Sequence, residues 1–135
     1  MEENYTDAAF RHWNDAQLLE KEDRVENADQ LYGLAAECAI KKILVNLPAF
    51  ANQGNLDKSF KEHINLLWDK VNHQSLQKSY PGLAAFLKAA NPFSSWNVDK
   101  RYFADGSIKK QELKDHREAA KRLLGIAGLH GGRRQ

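Results

Sequence analysis

One stretch constrains the fold of this chain more than any other, the run from Ala28 to Leu47. Ala28, Leu31, Tyr32, Ala35, Ala39 and Ile43 recur at three- and four-residue intervals, the period of one helix face. Leu34, Cys38 and Val45 make a second row beside it, and Ala36, Ile40, Leu44 and Leu47 a third. A helix apolar around most of its circumference has to be wrapped by others. Pro48 ends it, because proline has no amide hydrogen to donate and turns Leu47 away from helical geometry. The polar exception inside the run is Glu37, whose carboxylate is costly to bury unless it is paired. Two partners offer themselves: Lys41, one helical turn on at the helix surface, or an arginine reaching in from elsewhere, Arg101.

The rest of the chain reads as helices packed on this one. Thr6 or Asp7 is positioned to cap a first helix carrying Ala9, Trp13, Ala16 and Leu19 inward, and the charged run Lys21–Arg24 is a short turn that makes helices one and two an antiparallel hairpin. After the turn formers at 49–55, Asp57 or Ser59 opens a third helix with Phe60, Ile64, Leu67 and Val71 in register. Tyr80-Pro-Gly82 opens a fourth, shorter one that Asn91-Pro92 closes. A last helix runs from about Ile108 to Ala127, with Leu113, His116, Ala120, Leu123 and Leu124 on one face. Neither strand pattern nor repeat is present. The expectation is a single all-α domain over residues 1–135, an up-and-down bundle of four to five helices with a flexible tail from Gly128.

Several chemistries have no support. A formal net charge of +2 is too small to mark a dedicated nucleic-acid binder by itself, although a local patch can sit inside such a total. The single cysteine, Cys38, allows no intramolecular disulfide, and within an apolar helix it reads as a small hydrophobe. The five histidines, His12, His63, His73, His116 and His130, form no metal-helix pattern, and no P-loop, dinucleotide fingerprint or serine-hydrolase motif occurs. No cofactor is expected. An acidic N-terminus and no run of about 18 uncharged apolar residues imply a cytoplasmic protein without a membrane span.

The unusual segment is Phe93-Ser-Ser-Trp-Asn-Val-Asp-Lys-Arg-Tyr-Phe103, dense in aromatics and bases and without helical period. Trp96, Val98 and Tyr102 can fold back as a plug on the bundle. The functional alternative is that Arg101 and Lys100, with Tyr102, Trp96 and His63, face a groove where cations and rings meet a phosphate or a base. The two are compatible, because a packed loop holds an arginine in place.

These residues resemble the HEPN superfamily (higher eukaryotes and prokaryotes nucleotide-binding). Asp15–Leu19 resembles its first helix, and Asn27-Ala-x-x-Leu-Tyr-x-x-Ala-x-Glu-x-Ala-x-Lys41 its second. His63-x-x-x-Leu67 and Trp96-x-Val-x-x-Arg-Tyr102 continue the match ahead of the long final helix. The resemblance implies a helical bundle, often a homodimer, acting in toxin–antitoxin, defence or RNA-processing systems, with a nucleotidyltransferase-like antitoxin as a possible partner. Many such proteins are metal-independent RNases that use an arginine, then four to six intervening residues, then a histidine. Here Arg101 stands near that place, but the histidine positions hold Gly106, Ser107 and Ile108, and Arg122 and His130 are one residue too far apart. Arginine holds a phosphate but does not shuttle a proton. The expectation is therefore a non-catalytic domain that binds a nucleotide, nucleic acid or protein. The alternatives are an RNase with displaced machinery, using His63, His73 or His116 with Arg101, and a helical protein-interaction subunit. An excess of aromatics (Phe50, Trp68, Phe93, Trp96, Phe103) adds to the expectation of a homodimer.

Overall fold

The computed structural model describes residues 3–71, 73–102 and 104–129, apart from the side chains of His73 and Arg101. Its centre is the helix read from the apolar run, here α2 (Val25–Leu44), in which Ala28, Ala35, Ala36, Ala39 and Ile40 have no exposed surface. Helix α1 (Tyr5–Lys21) lies against it as the other arm of a hairpin. Asn4, rather than Thr6 or Asp7, caps α1: its side-chain oxygen accepts the Asp7 amide at 2.9 Å. The hairpin turns through Asp23 in the left-handed region (φ 60°), while the amides of Asp23 and Arg24 close back onto the carbonyls of Glu20 and Leu19. Gln17 donates to the Tyr32 hydroxyl (2.7 Å), which donates to Glu20 (2.6 Å), so the arms are also stitched by side chains.

Past Pro48 the structure departs from the sequence expectation. Ala51–Asn52 (β1) and Asn55–Leu56 (β2) pair antiparallel around Gln53-Gly54, a small hairpin where no strand was predicted. The third helix, α3 (Ile64–Lys70), begins later than Asp57 or Ser59. Phe60 ends a separate 3₁₀ turn (Lys58–Phe60) and packs edge-on against Phe50, ring centroids 5.0 Å apart. Two short helices follow, α4 (His73–Ser79) and α5 (Pro81–Leu87), with Pro81 in the first turn of α5. The final helix α6 (Lys110–Ile126) makes six α-helices among the described residues, more than the four to five predicted.

Helix α6 runs beside α2 in the same direction: Asp29 meets His116 near the start of each, and Lys42 reaches the Ala127 carbonyl (2.7 Å) near their ends. That ammonium sits on the carbonyl end of α6, where a positive charge is favourable. The cap of α6 includes Gly128 (φ 78°) and the Leu129 amide bonded to the Leu124 carbonyl, and Leu129 is buried. Gly128 and Leu129, which the sequence reading gave to the tail, belong to this cap; residues 130–135, His130 among them, lie outside the described part. No helix among the described residues is long and apolar enough to cross a membrane.

Candidate functional site

Asp29, Gly33, Glu37 and Lys41 follow one another at four-residue intervals and make a single ridge along α2. This ridge organises the polar interior. At its start, the Asp29 carboxylate lies 2.7 Å from Nδ1 of His116, and both side chains are buried. Phe93 stacks on the His116 ring (centroids 5.0 Å, planes 20° apart). The second oxygen of Asp29 and Nε2 of His116 have no hydrogen-bond partner among the described residues.

At Gly33 the ridge is empty, and Trp96 fills the gap. Its Nε1 donates to the Asp29 carbonyl (3.0 Å), and Gln30 donates to the Asn97 carbonyl (2.8 Å). The loop from Asn91 onward is thereby sewn to α2, and a 3₁₀ turn over Val98–Tyr102 follows directly. Further ties run to α6: Ser95 donates to Glu112 (2.5 Å), and Lys100 lies 3.5 Å from the same carboxylate. Although burial opposes it, the Ser95 hydroxyl and the Lys100 ammonium hold Glu112 below the usual carboxylate range.

At Glu37 the ridge carries a second carboxylate–histidine pair. Oε2 takes the Lys41 ammonium at 2.9 Å, and Oε1 faces His63 Nδ1 at 3.0 Å and accepts the Ile64 amide at 3.1 Å. Glu37 and Lys41 are both buried, so this i,i+4 pair belongs to the interior, not to the helix surface where the sequence suggested it. His63, by contrast, is 49% exposed, and its ring tilts against Trp96 (centroids 6.1 Å apart). A protonated Nδ1 donates to Glu37, which fixes the ring and leaves Nε2 as its other working nitrogen. Together with Lys61, Glu62, Asn65, Leu66, Asn97 and Val98, His63 lines an open groove of about 240 Å³.

The structure therefore brings His63, Trp96 and the segment carrying Lys100 and Tyr102 to one face of α2. Trp96 is buried, which fits it for the plug and removes it as a direct contact for a ligand from solvent. Tyr102 is 75% exposed. The Arg101 side chain, and with it the Glu37–Arg101 pairing raised by the sequence, lies outside the described residues. Phe50, Trp68, Phe93 and Trp96 are all core residues, so they supply no exposed aromatic surface for a dimer; Phe103 lies outside the described part. Burial pushes the Cys38 thiol up to about 12, with Glu37 adding to the effect, which leaves it inert as a nucleophile at neutral pH. Among the described residues no three His, Cys, Asp or Glu side chains converge as a metal site would require.

Sequence reasoning missed the Asp29–His116 pair and the role of Gly33. Their signal was the four-residue spacing of Asp29, Gly33, Glu37 and Lys41, a polar line through an otherwise apolar helix. Neither family models, nor curated proteins, nor solved structures provide a match for this chain.

Proposed function

We propose that this chain is a HEPN-like helical domain that binds a phosphate-bearing ligand, single-stranded RNA or a nucleotide, without cleaving it. The observation that carries the reading is the bonding of Trp96 and Asn97 to α2 beside His63. Asn97 and Val98 line the same groove as His63, whose ring Glu37 orients, and the turn that begins at Val98 carries Lys100, Arg101 and Tyr102. Lys100 and Arg101 supply positive charge, His63 a ring donor, and the exposed Tyr102 a surface on which a base can stack. The expected homodimer and a nucleotidyltransferase-like antitoxin as partner go with this proposal and are tested by sedimentation velocity and by co-purification.

The direct test is fluorescence anisotropy with a labelled single-stranded oligoribonucleotide across a salt series. Affinity should fall with salt, and Lys100→Ala and Arg101→Ala should each weaken it about tenfold, roughly 1.4 kcal/mol. Each should also make the salt slope shallower by about 0.7 for every phosphate that is no longer neutralised. Binding absent in the wild-type protein, or insensitive to salt, overturns the reading.

The Glu37–His63 pair favours one second reading. A histidine held by a buried carboxylate is an arrangement that serves general bases, so an RNase with displaced machinery keeps a physical basis. Incubation of the same RNA decides between them: intact RNA supports the binding domain, and cleavage abolished by His63→Asn replaces it with the nuclease.

A further inference from the structure

We infer that residues 93–102, hinged at Asn91, whose amide donates to Asn65 and Asp69 of α3, form a strap that lifts from α2 and α6 as one unit while those helices stay folded, and that the buried Asp29–His116 pair lets it lift. The strap is seated both by buried aromatic rings and by polar ties. Trp96 Nε1 bonds the Asp29 carbonyl, Gln30 bonds the Asn97 carbonyl, and Ser95 and Lys100 meet Glu112. Such bonds are exchanged for bonds to water with small net change when a segment opens. The apolar part of the seat is Phe93, which stacks on His116 and also touches Trp68 (centroids 6.2 Å), Trp96 in the gap at Gly33, and the half-buried Val98.

Beneath the strap the closed state carries a cost found nowhere else in the α2–α6 contact among the described residues. Asp29 Oδ2 and His116 Nε2 are buried there without a partner, and water admitted by opening would satisfy both. Replacing a buried polar pair with well-packed apolar residues of similar size is commonly neutral or stabilising, so the pair is a poor device for holding a strap down. It is a good one for keeping its opening within reach, because elements that move are drawn from the least stable parts of a fold. The strap also carries Lys100 and Arg101, so its opening would regulate the proposed anion contacts; that consequence rests on the binding reading, whereas the opening itself does not.

Two indoles make the test. Trp68 and Trp96 are both fully buried and both bond a backbone carbonyl, of Ala89 (3.2 Å) and Asp29 (3.0 Å) respectively. Burial alone would protect Trp96 at least as well, since its bond to Asp29 is buried whereas that of Trp68 reaches the exposed Ala89. Under native conditions, hydrogen exchange followed by NMR should show the Trp96 indole exchanging at least a hundredfold faster than that of Trp68. In the double variant Asp29→Leu/His116→Phe, which keeps a ring under Phe93, Trp96 exchange should slow at least tenfold. Equal exchange of the two indoles in the wild-type protein overturns the inference, and so does unchanged Trp96 exchange in the folded double variant. If that variant does not fold, the wild-type ratio decides alone. Because the readout needs no ligand, failure of RNA binding would remove the proposed function and leave this result standing.

Discussion

The indole of Trp96 occupies the space that a β-carbon on Gly33 would need: three of its ring atoms lie within 3.0 Å of where that carbon would be. Real carbon atoms do not approach so closely, so glycine is required here by contact, not by backbone conformation. Gly33→Ala is therefore expected to destabilise the protein by about 1–3 kcal/mol, the overpacking outweighing alanine's helix advantage of about 1 kcal/mol. Urea denaturation measures it, and an unchanged or raised midpoint would mean that the indole steps aside freely.

How much of this was readable beforehand follows from distance along the chain. The core face of α2 was legible because a helical period is local: Ala28, Tyr32, Ala35, Ala39 and Ile43 announce it themselves, and all are buried. The same local logic misplaced Phe60, whose spacing to Ile64 and Leu67 suits a helix that in fact starts after it. Asp29 and His116 are 87 residues apart, and nothing near either says that each is the other's partner. Glu37 was singled out correctly as needing compensation. Its lysine lay one turn away, but its histidine came from the start of α3, which only the packing of that helix brings in.

A gain in stability is expected at Asp23. This residue holds φ at 60° to close α1, a conformation that costs an L-residue roughly 1 kcal/mol and glycine almost nothing. Asp23→Gly should raise stability by about 0.5–1 kcal/mol, with no change in the denaturant slope. A drop in the thermal or urea midpoint would show that the aspartate side chain contributes more than its backbone costs.

His12 gives the protein a pH dependence of known sign. Burial, reinforced by Arg11, lowers its pKa from the ordinary 6.5. The unfolded chain therefore takes up a proton at a higher pH than the folded one. The contribution of His12 is fully present above the unfolded value and is lost as pH falls through the folded one. Denaturation midpoints should drop as pH is lowered from about 6.5, and His12→Gln should flatten that part of the curve. A wild-type profile that is level there would contradict the assignment.

The Glu37–Lys41 pair yields the sharpest energetic expectation. Both groups are buried, and their contact at 2.9 Å is reinforced by the Ile64 amide and His63 on the other carboxylate oxygen. Removing one partner strands the other's charge. Lys41→Met alone should therefore cost about 3–5 kcal/mol, whereas Glu37→Gln/Lys41→Met together should cost much less than the sum of the single changes. His63→Ala should be milder, since its ring is half exposed and Glu37 keeps two other donors. Arg101 enters the same cycle as the deciding comparison. If it serves a ligand, Arg101→Ala leaves stability within about 0.5 kcal/mol while weakening RNA binding. If it also compensates Glu37, its removal couples to Glu37→Gln as strongly as the removal of Lys41 does. Urea midpoints for the two cycles separate these outcomes, and additive effects for Glu37 and Lys41 would show that the buried pair carries no mutual stabilisation.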